Sequence, residues 1–210
     1  GSITGIVTVF NSDYQLIIRD ISEVVLTGER CIQGAQELGT TVETLNENFE
    51  SFGDDDDILV DGWQNLMVSG SRMWRASEYG GNVYAQATAY NSGLSLMETW
   101  LITRPVTIAE AKILTFRSAM AYWEHTGDNQ PMDLYFSSDY NGTNLASATW
   151  TPLQATLATK SNSNYAWVNS GSVALPLQAG ASGVIAFRYR GSDTESTTFI
   201  IDNVIVAPAR

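Results

Sequence analysis

The amino-acid sequence predicts an all-β protein, and three observations support this prediction. Apolar runs are short and recur along most of the chain. Clusters of glycine, asparagine, serine and aspartate separate these runs, as turns separate strands. No window of convincing length has apolar residues at helical spacing. Many short strands with this spacing are typical of an antiparallel two-sheet β-sandwich, here a jelly roll with an N-terminal β-hairpin extension.

The N-terminal segment, residues 1–31, predicts a β-hairpin followed by one short strand. Apolar runs at 3–10 and 14–20 flank a turn-forming cluster, and a third run covers 23–27. So few strands cannot bury a core by themselves. The segment must therefore pack on the rest of the chain or be the remnant of an upstream domain, and we expect the remnant.

Residues 32–47 predict a linker, because they are polar and have no sustained period. From residue 48 to residue 207 the pattern is almost wholly β, and this part predicts the sandwich itself. The predicted strands of the sandwich are 48–52, 72–77, 82–89, 99–103, 112–121, 131–138, 147–153, 172–175, 182–190 and 197–206.

Cysteine content and the first residues bear on the compartment. The single cysteine, Cys31, excludes an internal disulfide and a thiolate zinc site. The opening Gly1-Ser2 resembles a cleavage scar, which predicts that the chain is trimmed from a longer protein. Low lysine and abundant serine, threonine and asparagine suit a surface protein. We therefore expect an extracellular or cell-surface location, with the signal and anchor in other parts of the parent protein.

Acidic charge is concentrated in one segment. The chain has 23 acidic and 11 basic residues, a net charge of −12, and residues 20–61 contain twelve of the acids against one base. With only two lysines, Lys112 and Lys160, the chain is not suited to neutralising nucleic-acid phosphates. No apolar run reaches the length that spans a bilayer. We expect neither nucleic acid nor membrane insertion for this chain.

Four consecutive aspartates, Asp54 to Asp57, are the most visible motif. Calcium takes roughly six to eight oxygen ligands, but consecutive loop residues point in different directions. The run also lacks the Asp-x-Asp-x-Asp-Gly spacing of an EF-hand loop. It predicts a solvated charged loop, with weak surface binding of calcium as the alternative.

Glu50 and Asp202 are carboxylates inside apolar runs, in the first and last predicted strands of the sandwich. A buried carboxylate needs a partner, because burial of a bare charge is costly. First and last strands are often neighbours in a sandwich, so one shared cation would satisfy both groups. Separate hydrogen bonds, or exposure at the sheet edges, are the alternative.

Six tryptophans offer aromatic faces that could stack on sugar rings. Trp123 lies with Tyr122 and His125 where a predicted strand enters a turn, a position that suits ligand contact. Packing, or contact with a partner domain, is the alternative for Trp123. The tryptophans in or beside strand patterns, which we expect in the core, are Trp63, Trp100, Trp150 and Trp167.

Sequence motifs give little support to catalysis. The chain has no nucleophile elbow, no His-Glu-x-x-His motif and no phosphate-binding glycine loop. His125 is the only histidine and a weak candidate for a base. A glycosidase needs two carboxylates roughly 5–9.5 Å apart in a cleft, and no acidic pair is recognisable here. We therefore predict that the chain is not an enzyme.

An ordered set of motifs covers residues 48–207. The motifs are 49–52 (FESF), 62–63 (GW), Trp74, 99–106 (TWLITRPV), 113–116 (ILTF), 134–142 (LYFSSDYNG), 148–153 (ATWTPL), 170–171 (SG), 185–189 (IAFRY) and 201–204 (IDNV). This set resembles the choice-of-anchor J domain of secreted and surface bacterial proteins, a relative of MAM-type jelly rolls. Residues 14–31 resemble the end of an OB-like domain that often precedes it.

The resemblance implies two antiparallel sheets, extracellular display and attachment by other parts of the parent protein. Related jelly rolls often hold a structural calcium ion with an early glutamate and an acid on the last strand, which correspond to Glu50 and Asp202. The family shares no single ligand or reaction, so the fold does not fix the function.

We predict from the sequence a non-catalytic extracellular β-sandwich module of a bacterial surface protein, serving adhesion or carbohydrate binding. Trp123, Tyr122 and His125 on one rim would contact the ligand, a glycan or another surface protein. A structural spacer or protein-interaction module with no small ligand is the alternative. A glycoside hydrolase is the third and less favoured class.

Overall fold

A computed structural model of the chain describes residues 2–25, 36–127, 129–176 and 181–209. The chain divides into two units, residues 1–31 and residues 32–210. Strands dominate both, and the described residues contain two short 3₁₀ helices and no α-helix. No described helix is long and apolar enough to cross a membrane. The predicted all-β class is confirmed.

The first unit contains two pairs of antiparallel strands. One pair is β1 (Ser2–Ile3) with β4 (Val24–Val25), and the other is β2 (Ile6–Phe10) with β3 (Asp13–Ile17). Asn11 and Ser12, at the tip of the β2–β3 hairpin, have positive φ angles of 49° and 73°, as a two-residue type I′ turn requires. The predicted hairpin is confirmed, whereas residues 26–27 of the predicted third strand and Cys31 lie outside the described residues. The elements are β1 (Ser2–Ile3), β2 (Ile6–Phe10), β3 (Asp13–Ile17), a 3₁₀ turn (Ile21–Glu23) and β4 (Val24–Val25).

The second unit is a sandwich of two antiparallel sheets. The strands of the first sheet are β6 (Gln64–Ser69), β9 (Met97–Ile102), β10 (Val106–Thr107), β12 (Met132–Ser137), β13 (Thr151–Pro152) and β16 (Ser182–Gly191). Among the described residues, their order in the sheet is β13-β12-β16-β9-β6, with β10 also paired to β16. A 3₁₀ turn at Leu145–Ser147 precedes β13.

The described strands of the second sheet are β5 (Leu45–Glu47), β7 (Arg75–Tyr79), β8 (Asn82–Ala87), β11 (Lys112–Ala121), β14 (Val168–Asn169), β15 (Val173–Ala174) and β17 (Thr198–Pro208). Their order in the sheet is β14-β11-β17-β8-β7, with β15 paired to β11 and β5 to β17. Alternate residues of each strand face the first sheet or point away from it. The two-sheet sandwich that the sequence predicts is therefore present.

The core lies between the two sheets and is rich in aromatic side chains. Phe116 of β11 and Phe187 of β16 meet edge to face across it, with ring centroids 5.3 Å apart. Trp63 and Trp74 are buried in this core, whereas Trp100 is buried and Trp150 half-buried in a separate cluster on the outer face of the first sheet. The core assignment of Trp167 is wrong. Its side chain lies on the outer surface of the second sheet and the residue is 37% exposed.

The predicted linker and first strand both need correction. Residues 36–47 belong to the sandwich unit, where β5 pairs with β17 and Leu45 is buried. Residues 32–35 lie outside the described residues.

Residues 48–52 form a turn rather than the predicted strand, and Phe49 has a φ angle of 57°. Phe49 is fully buried against Trp63, so the chain must turn to insert this ring.

A β-bulge in β17 sets the faces of the last strand. Thr115 of β11 lies opposite Ile205, but Arg117 lies opposite Asp202, so β17 has one extra residue there. Asn203 takes up the extra residue with a positive φ angle of 53°. Asp202 therefore lies on the outer face, next to Arg117, while Val204 is buried in the core.

The aspartate run is an exposed loop, as predicted, and it pairs with the edge strand β7. Asp55 N donates to Ala76 O at 2.9 Å, and Ala76 N donates to Asp56 O at 2.7 Å. The carboxylates point to different partners: Asp54 accepts from Glu78 N, and Asp55 contacts the guanidinium of Arg75. The loop thereby covers the backbone groups of an edge strand.

Candidate functional site

A cleft of about 530 Å³ lies on the outer face of the second sheet, and we call it the aromatic cleft. Strands β8 and β17 form its floor. The loop after β8, the loop after β11 and Tyr165 form its walls. Its lining residues are Gln86, Thr88, Tyr90, Tyr122, Glu124, Tyr165, Ser196 and Thr198.

The floor of the aromatic cleft is polar because strand alternation sends polar residues outward. Ala85, Ala87 and Phe199 are buried in the core, whereas Gln86, Thr88 and Thr198 line the cleft. Thr198 Oγ1 donates to Thr88 Oγ1 at 3.1 Å, and Thr88 Oγ1 in turn donates to Ser196 O at 3.2 Å. Within the described residues, the Gln86 amide makes no hydrogen bond, so it is free to bind a ligand.

Three tyrosines form the walls, and each presents its ring to solvent. Tyr90 is 69% exposed, Tyr122 61% and Tyr165 44%. The rings of Tyr122 and Tyr165 meet edge to face, with centroids 6.0 Å apart. This contact covers little of either ring, so the aromatic faces remain available to a ligand.

Two of these tyrosines have a strained backbone. Tyr122 has a φ angle of 53° and Tyr165 one of 62°, in the left-handed region that bulky residues rarely adopt. Their backbones are held in place, because Tyr122 N donates to Asn164 Oδ1 at 3.1 Å and Tyr165 N donates to Met120 O at 2.7 Å. Strain of this kind costs of order 1–3 kcal/mol per residue and clusters at functional sites. Exposed rings recover little of that cost by packing, which points to a role in binding.

The Tyr165 phenol has a raised pKa. Burial, together with the hydroxyl of Tyr122, raises the pKa of Tyr165 to about 12. The Tyr165 phenol therefore stays protonated at physiological pH. Glu124 supplies a carboxylate, and within the described residues its side chain makes no hydrogen bond. The cleft thus combines apolar ring faces with separate hydrogen-bond donors and acceptors.

Trp167 extends the aromatic surface beyond the cleft. Its ring lies 4.3 Å from Cζ of Arg117 and meets the ring of Tyr84 edge to face at 5.8 Å. Beneath it, Arg117 Nε donates to Asp202 Oδ2 at 3.1 Å, and Asn82 Nδ2 donates to the same oxygen at 3.1 Å. Trp167 therefore covers a buried ion pair and also faces solvent.

Asp202 and Glu50 have different surroundings. Asp202 is 1% exposed and its partner is the guanidinium of Arg117, so the expectation that this acid needs a partner is confirmed. Glu50 is exposed, and its Oε1 accepts from Val83 N at 3.2 Å. In the part of the chain that the structure describes, no three His, Cys, Asp or Glu side chains are grouped to hold a metal. Calcium at Glu50 and Asp202 would have to displace Arg117, and it stays a prediction.

The predicted rim of Trp123, Tyr122 and His125 is divided by the fold, and only Tyr122 reaches the aromatic cleft. Trp123 is half-buried against the core, and its Nε1 donates to His125 O at 2.8 Å. His125 is buried, with Nδ1 2.8 Å from Thr197 Oγ1 and Nε2 2.9 Å from Arg190 O. These contacts favour a structural role for His125 and Trp123.

Because His125 is buried, we expect the free energy of unfolding to fall in mild acid. Burial lowers its pKa below the ordinary value of 6.5, so below that pH the unfolded chain takes up the proton more readily than the folded chain. Stability should fall as the pH drops from 6.5 towards the folded-state pKa, by at most about 1.4 kcal/mol per pH unit. Thermal unfolding between pH 7 and pH 5 measures this effect. His125→Gln should flatten the profile, whereas an equally steep profile in the variant would contradict the assignment.

A second aromatic group lies on the outer face of the first sheet. Trp100 and Tyr135 stack with centroids 5.8 Å apart, Trp150 packs on Trp100 at 4.9 Å, and Arg188 lies over both Trp100 and Tyr135. Trp100 is only 5% exposed, because Trp150 and the neighbouring residues Tyr140 and Leu145 pack in the same cluster. This group is therefore a small second core and presents less ring surface than the aromatic cleft.

No protein-family model matches the chain, and no curated protein matches its sequence. Solved structures do match. The K3 cleaved adhesin domain of Lys-gingipain from Porphyromonas gingivalis W83 is 20% identical, with a TM-score of 0.51 over 79% of this chain and 98% of that chain. The K2 cleaved adhesin domain of Lys-gingipain is 18% identical, with the same TM-score and coverage.

The likeness shows the fold. The chain shares the β-sandwich of the two adhesin domains, and the predicted fold class is thereby confirmed. The xylan-binding CBM22-1 domain of Paenibacillus barcinonensis Xyn10C also matches. It is 14% identical over 82% of this chain and 98% of that chain, with a TM-score of 0.39.

Sequence reasoning missed most of the aromatic cleft. Tyr90 precedes the turn cluster 91–93, and Tyr165 follows a serine- and asparagine-rich stretch, so both are aromatics beside turn residues. The rule that selected Tyr122 could therefore have found them. Gln86 and Thr198 carry no comparable signal, because their role depends on which face of the sheet the loops surround.

Proposed function

We propose that this chain is a non-catalytic carbohydrate-binding module of an extracellular bacterial surface protein, and that the aromatic cleft binds the glycan in adhesion. The observation that carries the proposal is the exposure of Tyr90, Tyr122 and Tyr165 around a hydrogen-bonding floor, two of them with a strained backbone. The choice-of-anchor J domain is the family that we propose for the chain.

Sugar chemistry matches the lining of the cleft. A pyranose ring has apolar C–H faces and a rim of hydroxyl groups that both donate and accept hydrogen bonds. The tyrosine rings can stack on such a face, while the Gln86 amide, the Ser196 hydroxyl and the Glu124 carboxylate can bind the rim.

The number of carboxylates that line the aromatic cleft supports binding of a glycan without its hydrolysis. Glycoside hydrolysis uses two carboxylates, roughly 5–9.5 Å apart, on either side of the bond. Among the described residues that line the aromatic cleft, Glu124 is the single carboxylate. Incubation with a bound glycan should therefore release no new reducing ends.

Adhesion and an extracellular location are supported by the shared fold. The two similar structures are cleaved adhesin domains, and the low lysine and high serine and threonine content of this chain suits a surface protein. The partner would then be a glycan, free or carried by another surface protein.

Substitution of the cleft tyrosines tests the proposal. Tyr122→Ala and Tyr165→Ala should each weaken glycan binding roughly tenfold, because each removes a stacking surface. A glycan array identifies a ligand, and affinity electrophoresis then compares the variants. Tyr79→Ala is the matched control, since Tyr79 is 80% exposed in the same sheet and does not line the cleft. Wild-type binding by both cleft variants would remove the proposal.

A further inference from the structure

A second depression of about 540 Å³ continues the aromatic cleft, and we call it the arginine cleft. Gln86 and Thr88 line both depressions, and in the sheet Arg75 of β7 lies directly opposite Gln86 of β8. The two depressions therefore lie side by side on one outer face. The lining residues of the arginine cleft are Asp54, Asp55, Arg72, Met73, Arg75, Ala76, Ser77, Gln86 and Thr88.

Two guanidinium groups line the arginine cleft and keep unused donors. Arg72 Nη1 donates to the backbone oxygen of Tyr90 at 2.9 Å, which joins this cleft to a wall of the aromatic cleft. Arg75 Nη1 lies 2.8 Å from Asp55 Oδ1. Arg75 Nε is buried, lies 3.5 Å from Asp57 Oδ1, and makes no hydrogen bond within the described residues. A guanidinium has five N–H donors, so both arginines can bind further oxygen atoms.

The charges of the arginine cleft favour a neutral ligand. Arg72 and Arg75 lie with Asp54 and Asp55, so the cations and the carboxylates of the lining balance. The surrounding chain has a net charge of −12, which repels anions. Paired guanidinium and carboxylate groups offer donors and acceptors side by side, and vicinal sugar hydroxyls offer the same.

We propose that the two clefts form one groove for an internal stretch of a neutral glycan chain, with Arg72 and Arg75 as the specificity-determining residues of its second half. This inference rests on the proposed function, since stacking in the aromatic cleft places the first sugar units. The next units then lie over Gln86 and Thr88 and bring their hydroxyls to the arginines. Affinity should therefore increase with chain length, and uronic-acid chains should bind weakly.

Calorimetry with oligosaccharide ladders tests the inference. The probes are xylo-, cello- and manno-oligosaccharides from disaccharide to hexasaccharide, with oligogalacturonates as the anionic comparison. For the wild type, a hexasaccharide of the bound series should bind about tenfold or more tightly than the disaccharide, the gain expected from hydrogen bonds to charged groups. Arg72→Gln and Arg75→Gln should each abolish this gain in affinity with chain length. Arg190→Gln, on the first sheet, is the control and should keep the gain.

The possible outcomes separate the two proposals. If Tyr122→Ala weakens binding but the arginine variants keep the full gain with length, the groove is overturned and the proposed function stands. Tighter binding of oligogalacturonates than of neutral chains would also overturn the groove. If no glycan on the array and no oligosaccharide binds the wild-type protein, both proposals fail. Circular dichroism of each variant verifies that the loss of a gain does not reflect unfolding.

Discussion

Replacement of Arg117 by methionine should lower the free energy of unfolding by about 3 kcal/mol, because it leaves the Asp202 carboxylate buried without its cation. Asp202 is 1% exposed and the Arg117 side chain 27% exposed, so water reaches the pair only from the arginine side. We therefore expect the lower end of the range for broken buried pairs. Urea unfolding of the wild type and the variant measures the difference.

A matched double variant tests whether charge is the cause. Asp202→Asn in the Arg117→Met background removes the unpaired charge and should recover part of the lost stability. Arg188→Met provides a comparison, because the Asp133 partner of Arg188 is 30% exposed and its loss should cost less. Equal losses for Arg117→Met and Arg188→Met would contradict the importance that we assign to the Asp202 pair.

Calcium at Glu50 and Asp202 makes a different prediction for the same position. A calcium ion that binds only the folded chain would raise the melting temperature, so a chelator would lower it. Arg117→Met would then be tolerated better with calcium than without it. An unchanged melting temperature in chelator would remove the calcium prediction and leave Arg117 as the partner of Asp202.

Replacement of Asn65 by leucine should also destabilise the fold, by about 3 kcal/mol or more. Asn65 is fully buried at the start of β6, where its Nδ2 donates to Ile58 O and to Trp74 O. Its Oδ1 accepts from Trp74 N at 3.0 Å. Leucine would leave Ile58 O and Trp74 N without a partner, at about 1–3 kcal/mol for each buried group, whereas Trp74 O still accepts from Ile58 N.

Asn46→Leu is the control for this substitution, because Asn46 lies exposed on β5 of the second sheet. The control should change the free energy of unfolding by no more than about 0.5 kcal/mol. Chemical denaturation of both variants gives the comparison. Equal stabilities for the two variants would show that the Asn65 network contributes little.

The sequence pattern predicts the strands well where apolar residues are dense, and fails where polar groups are buried. Strands β8, β11, β16 and β17 are rich in apolar residues and were predictable for that reason. β6 begins with Gln64 and Asn65, which a pattern of polarity assigns to a loop. Their amides are satisfied by backbone oxygens far along the chain, including Gln36 O and Gly142 O. Such partners cannot be deduced from local sequence.

The segment around Glu50 shows how a turn can resemble a strand. Phe49 and Phe52 flank two polar residues, and the sequence interpretation placed them in an apolar strand. In the fold, Phe52 N donates to Phe49 O at 3.2 Å, so the two rings are brought together by a turn and Glu50 lies outside. A spacing of three residues fits a turn as well as a strand, and only the tertiary contacts of Phe49 decide between them.

The candidate site was predictable only in part for a similar reason. Physical chemistry required a partner for a buried Asp202, but it did not specify whether the partner is a metal ion or Arg117. Tyr122 was identifiable from its position beside a turn. Tyr90 and Tyr165 join it from distant loops, and the two-sheet topology determines that all three surround Gln86 and Thr88.

Chemical-shift mapping of glycan binding is the most direct test of the central claim. A neutral oligosaccharide that binds is titrated into ¹⁵N-labelled protein, and the backbone amide shifts are followed. We predict the largest changes at Thr88, Tyr90, Tyr122 and Tyr165, which surround the aromatic cleft. Shifts confined to the first sheet around Tyr135 would contradict the account, because they would place the glycan on the opposite face of the sandwich.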